Sequence, residues 1–143
     1  PMKVLMHVTA LSMLLALICG CSRNAEADYN TLESRDGLVH VPGSDAPFTG
    51  RAVSFFSNEQ VKIEVHFEKG LEAGPEVAWY QDGKKESEGT RKKGEWDGVL
   101  THWYPDGTKM AKYTYREGKL TGRKNWDEQG NPITPSEKKP PGK

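Results

Sequence analysis

Residues 98–122 read Gly-Val-Leu-Thr-His-Trp-Tyr-Pro-Asp-Gly-Thr-Lys-Met-Ala-Lys-Tyr-Thr-Tyr-Arg-Glu-Gly-Lys-Leu-Thr-Gly. The aromatic pair Trp103-Tyr104 leads into Pro105-Asp106-Gly107, where glycine can take the positive φ of a tight hairpin turn. Beyond the turn, Ala111, Tyr113 and Tyr115 alternate with Lys112 and Thr114, the period of a half-buried strand. The stretch therefore reads as one β-hairpin.

Working outward, the same features return at a fixed interval. Gly50, Gly74, Gly98 and Gly122 are each 24 residues apart, and Gly70, Gly94 and Gly118 keep that interval. The aromatic pair recurs as Phe55-Phe56 and Trp79-Tyr80, and Asp82-Gly83 matches Asp106-Gly107, with Glu59 standing where the first copy lacks the glycine. In the first copy, Val61, Ile63, Val65 and Phe67 alternate with Lys62, Glu64 and His66, which predicts one inner and one outer face. A fixed period of this length is the mark of stacked supersecondary units.

The expected fold is all-β: an elongated antiparallel meander of repeated hairpins. It comprises a half unit at 36–50, full units at 51–74, 75–98 and 99–122, and a partial unit at 123–132 around Trp126 and Gln129-Gly130-Asn131. The face taken by Trp79 and Trp103 depends on whether each turn holds two residues or three, because strand parity changes with turn length. The middle unit departs from its neighbours, with Ser87, Gly89 and Arg91 at positions that are otherwise apolar or aromatic. Rings from either side are expected to cover that strand.

Units of this kind, in Trp79-Tyr-Gln-Asp-Gly83, Trp103-Tyr-Pro-Asp-Gly107, Glu117-Gly-Lys-Leu-Thr-Gly122 and Pro47-Phe-Thr-Gly50, resemble the bacterial variant of the MORN repeat. The resemblance runs from Phe48 to about Pro132. It implies an interaction or scaffold module, and some bacterial proteins with such repeats resemble antitoxin or immunity proteins. No ligand is implied.

The first twenty residues differ from all that follows. Met2-Lys3 gives a positive start and Val4 to Ile18 is an apolar run, the order of a secretory signal expected to form a helix. The run is short of the roughly 20 apolar residues that span a bilayer. Ile18-Cys19-Gly20-Cys21 resembles the bacterial lipobox, so cleavage is expected between Gly20 and Cys21, with lipid on the Cys21 sulfur. The mature chain would then hold no free thiol and no disulfide. Ser22 follows the cysteine where aspartate would resemble an inner-membrane retention signal, which favours the outer membrane in a cell with two.

Residues 21–35 read as the lipidated cysteine and a polar tether. Residues 133–143, with their prolines and lysines, read as a disordered tail. The whole chain has 20 basic and 20 acidic residues. That balance offers no overall attraction to nucleic acid.

No catalytic motif emerges. His40, His66 and His102 lie in different units without paired ligand spacing, and neither a Gly-x-Ser-x-Gly elbow nor a distinguished carboxylate pair is present. The expectation is no enzyme, no metal and no cofactor beyond the lipid on Cys21. Two features could bind a partner. One is the aromatic ladder of Trp79, Tyr80, Trp103, Tyr104 and Trp126, suited to sugar faces or apolar side chains. The other is the basic run Arg91-Lys92-Lys93, beside Lys84-Lys85, suited to anions.

The sequence thus points to a membrane-anchored, non-catalytic module of the bacterial cell envelope that binds a protein or cell-wall glycan. An immunity protein masking a toxin is the alternative. An envelope enzyme acting on glycan is the third reading.

Overall fold

The computed structural model describes residues 25–134. The signal, the cleavage site at Gly20 and Cys21, and the tail beyond Thr134 lie outside the described residues. Within them the protein is all-β, with one 3-10 turn at Tyr29–Thr31 and no α-helix.

The strands are β1 (Glu26–Asp28), β2 (Glu33–Arg35), β3 (Leu38–His40), β4 (Gly50–Phe55), β5 (Val61–Glu68), β6 (Leu71–Trp79), β7 (Lys85–Lys92), β8 (Glu95–Trp96), β9 (Gly98–Trp103), β10 (Lys109–Arg116), β11 (Lys119–Trp126) and β12 (Pro132–Ile133). Ten of them form one sheet in the order β1-β4-β5-β6-β7-β9-β10-β11-β12, with β8 pairing beside β7. From β4 onward it is the expected antiparallel meander. Strands β2 and β3 form a separate hairpin.

Two kinds of turn alternate along the meander. At Lys69-Gly70, Lys93-Gly94 and Glu117-Gly118 both central residues have positive φ, the two-residue turn whose twist suits a hairpin. The others contain three residues. Tyr80 N–H donates to the Lys84 carbonyl and Gly83 N–H to the Tyr80 carbonyl, and the same pair of bonds closes the turns at Phe56–Gln60, Tyr104–Thr108 and Asp127–Asn131.

The first three of these turns are each followed by a bulge in the strand they feed, whereas the turn at Asp127–Asn131 leads into β12 without one. In the first hairpin Phe55 pairs with Val61 but Ser54 with Ile63, so Lys62 is extra. Glu86 and Met110 are the extra residues in the next two. The bulge corrects the expected alternation. Ile63, Val65 and Phe67 keep to one face, whereas Val61 is carried to the other with Phe55.

The core sits at the N-terminal side of the sheet. Phe48, Ala52, Val65 and Phe67 are buried together, with Ala25, Ala27, Tyr29, Leu32, Val39 and Ile63 packed against them. Here the expected tether departs from the structure, because the chain is folded from Ala25 onward. Strand β1 pairs in parallel with β4, with Arg51 N–H donating to the Ala25 carbonyl. Asp28 caps the 3-10 turn through Asn30 N–H, and Arg51 bridges Glu26 and Glu64, each at 2.8 Å. The segment is polar by composition, yet Ala25, Ala27, Tyr29 and Leu32 supply enough apolar surface to close the open face over Phe67. The hairpin of β2 and β3 also runs through the expected boundary at residue 36.

Candidate functional site

The face that carries the core continues across β6 to β11, and register assigns its members. Ala52 pairs with Val65, Val65 with Glu76 and Glu76 with Gly89, while farther on Leu100 pairs with Tyr113 and Tyr113 with Arg123. One register step along, Ser54, Ile63, Ala78, Ser87, His102, Ala111 and Asn125 line up likewise. We call this the inner face. The N-terminal segment covers only its β4–β5 side.

Beyond that cover the inner face holds a row of rings. Trp96 and Tyr115 have centroids 6.5 Å apart, Tyr115 and Tyr113 6.4 Å, and Tyr113 and His102 5.8 Å. All four are half-buried. Gly89 makes room for the first of them. A Cβ at that position would stand 2.7 Å from Trp96 and 3.0 Å from the Leu100 side chain, so the strand floor must be bare for the indole to lie there. Where rings from either side were expected to cover β7, Trp96 of the same unit lies over Gly89.

A charged cluster adjoins Trp96. The Arg91 guanidinium lies 3.6 Å from the indole centroid. Its Nε donates to Glu76 Oε2 at 2.8 Å and lies 3.3 Å from Glu72 Oε2. Two carboxylates thus share one cation. Burial pushes the Glu72 pKa up, with Glu76 adding to the shift and Arg91 opposing it. The Tyr29 hydroxyl is raised by burial and by the same two carboxylates. Glu72, Tyr29 and Phe67 also line a half-open cleft of about 150 Å³ at the margin of the N-terminal cover. Burial lowers the His102 pKa against the influence of Glu86, which favours the neutral ring.

The aromatic ladder is split between the two faces. Ala78 and His102 belong to the inner face, so Trp79 and Trp103, adjacent to them in their strands, belong to the outer one. Trp126 follows Asn125 and is outer too, with Lys109 Nζ 5.6 Å from its ring centroid. Tyr80 and Tyr104 act as ties. Their hydroxyls donate to the carbonyls of Trp103 at 2.6 Å and Trp126 at 3.0 Å, each linking one turn to the next hairpin.

The basic run is divided as well. Arg91 turns inward onto Glu72, Glu76 and Trp96, while Lys92 and Lys93 are exposed at the β7–β8 turn. Lys84 and Lys85 stand at the other end of β7, engaged with Asp82 and Glu88. These residues do not form one anion site. Of the histidines, His66 Nδ1 is 3.0 Å from the Pro75 carbonyl, and His40 is buried with Nδ1 unpartnered among the described residues. No group of three or more His, Cys, Asp or Glu side chains among the described residues could hold a metal ion.

Trp96 was outside the sequence expectation because it falls off the 24-residue aromatic interval. Its signal was indirect: a glycine within a strand, with a tryptophan one turn away. Comparison with protein-family models, curated proteins and solved structures returns no match for the chain.

Proposed function

We propose that the protein is a non-catalytic binding module of the bacterial cell envelope, held to a membrane through lipid on Cys21, which grips a protein or glycan partner on its inner face. One observation carries this reading. Trp96, Tyr115, Tyr113 and His102 form a continuous, half-buried aromatic row on the inner face, while the adjoining part of that face is closed by the N-terminal segment. Aromatic rings gain more from desolvation than other side chains of their size and dominate recognition surfaces. The Arg91 cluster beside them supplies donors and acceptors already oriented by their mutual contacts.

The binding surface differs from the ladder suggested by spacing alone. Tyr80 and Tyr104 spend their hydroxyls within the sheet. We further propose that the meander is assembled from MORN-like units. The recurrence of one turn form at Phe56, Tyr80 and Tyr104, with bulges at Lys62, Glu86 and Met110, supports that assembly.

The non-catalytic assignment has support in the two carboxylates of the cluster beside Trp96, since both are engaged by Arg91. Incubation with peptidoglycan fragments is expected to leave no product. Affinity capture from envelope extracts tests the binding reading, with the Tyr113→Ala/Tyr115→Ala variant set against Trp79→Ala/Trp103→Ala. The first is expected to lose capture and the second to keep it. Equal capture by both would overturn the inner-face assignment.

A further inference from the structure

The last full hairpin, β10 and β11, carries Lys109, Lys112, Arg116, Lys119, Arg123 and Lys124, all exposed, against the single carboxylate of Glu117 in its turn. None of the six makes an ion pair with an acidic side chain among the described residues. Register brings like charges together, with Lys112 directly opposite Lys124 and Arg116 opposite Lys119. Such pairs weaken a sheet. Folding stability therefore gives no reason for them.

The faces concentrate the charge further. Ala111, Tyr113 and Tyr115 are inner, so Lys112, Arg116, Lys119 and Lys124 are outer, where Lys109 also stands by Trp126. Trp103 and Val99 continue this outer face on β9, and Val99 is 43% exposed. The result is a basic array with apolar side chains on β9 and at the end of β11.

We propose that this outer face of the β10–β11 hairpin docks on an anionic phospholipid surface. Charge complementarity argues for an anionic partner, and the spread of the cations over two strands argues for many headgroups rather than one. Eight-residue strands set the cations along roughly 26 Å of sheet at about 3.3 Å per residue, too widely for a single phosphate to meet them together. Tryptophan beside lysine is the composition that suits the boundary between headgroups and acyl chains. The β1–β6 end of the sheet would be repelled, because residues 25–80 carry ten acidic and only four basic side chains. One end of the sheet is thereby selected. The inference stands apart from the inner-face row and from the lipid on Cys21.

Vesicle flotation of the full chain tests it, comparing phosphatidylcholine alone with equal parts phosphatidylcholine and phosphatidylglycerol. The ratio of bound protein cancels any contribution of the apolar N-terminal run that is common to both. The unaltered chain is expected to prefer the anionic vesicles. Lys112→Ala/Lys124→Ala is expected to cut that preference on the order of 20-fold, at about fivefold for each cation near the surface, and high salt should have the same effect. Lys62→Ala/Lys69→Ala, on the acidic side, should leave it unchanged.

Lys112→Glu separates folding from docking, since it places opposite charges across the hairpin. It should raise the melting temperature while lowering vesicle binding. Equal partition to the two vesicle types would overturn the proposal, as would a ratio unaffected by Lys112→Ala/Lys124→Ala. Salt-sensitive retention on single-stranded DNA with no preference for anionic vesicles would overturn it in favour of nucleic acid.

Discussion

Glu59 sits at φ 65°, in the turn position that Gly83, Gly107 and Gly130 occupy with φ of 83°, 93° and 80°. A side chain there meets the carbonyl clash of left-handed backbone, about 1–2 kcal/mol. Glycine avoids that clash but loses roughly 0.5–1 kcal/mol through its greater freedom when unfolded. Glu59→Gly is therefore expected to stabilise the protein by up to about 1 kcal/mol, read as a higher urea midpoint with unchanged slope. Loss of stability would mean that the glutamate has a contact outweighing its backbone strain.

Glu72 gives a pH prediction at the same scale. Its pKa is raised in the folded protein, chiefly by burial, so folding disfavours its charged form. The unfolded chain thus gives up this proton at lower pH. The associated stability is full below the ordinary glutamate range and is lost as pH rises through the raised folded value. Glu72→Gln should remove that part of the pH dependence, which denaturant titrations across the acidic range would detect. An unchanged pH profile would contradict the assignment.

The glycine and aromatic spacing made the setting of only one of these residues legible. It marked the turn of Glu59 as unusual, but the position of Glu72 beside Arg91 depends on strand pairing across the β6–β7 turn, which local pattern does not carry.

At the scale of elements, the hairpins were readable because turn chemistry and strand period agree. Asp106-Gly107 supplies both the positive φ and an Asp side chain whose Oδ1 accepts the Thr108 N–H at 2.7 Å. Those bonds hold the Asp106 carboxyl below its usual range. The bulges were not readable, since an extra residue at Lys62, Glu86 or Met110 has no compositional mark, and the face of Val61 was misassigned as a consequence. Strand β1 was missed for a different reason. Its three residues are too few to display a period, and its parallel partner β4 lies 25 residues away in register.

That missed element matters to stability. Phe67 is 5% exposed, with Phe48 5.7 Å and Tyr29 6.4 Å from its ring centroid, so it joins the meander to the N-terminal cover. Phe67→Ala is expected to cost about 3–5 kcal/mol and to raise amide exchange in residues 25–40 along with β4 and β5. Exchange confined to β5 would show that the cover docks without it.

On the scale of the whole molecule, the sheet is divided into a closed side and an open side. The N-terminal segment and the β2–β3 hairpin close the face over β4 and β5. The rings from Trp96 to His102 occupy the part left open. Charge is divided as well, acidic toward β1 and basic on β10 and β11. Neither division could be read from a near-neutral total. The pairing of β1 from Glu26 also shortens the proposed tether. Four residue steps from Cys21 reach at most roughly 13 to 14 Å, so a lipid there would hold the sheet close to its membrane.

Hydroxyl-radical footprinting of the full chain, with and without delipidated envelope extract, tests the inner-face claim most directly because it reads every ring at once, applies to protein or glycan partners alike and leaves out the phospholipid that the outer face would meet. The account predicts protection of Trp96, Tyr113 and Tyr115 while Trp79 and Trp103 are oxidised as before. Protection of Trp79 and Trp103, with the inner rings still oxidised, would contradict it.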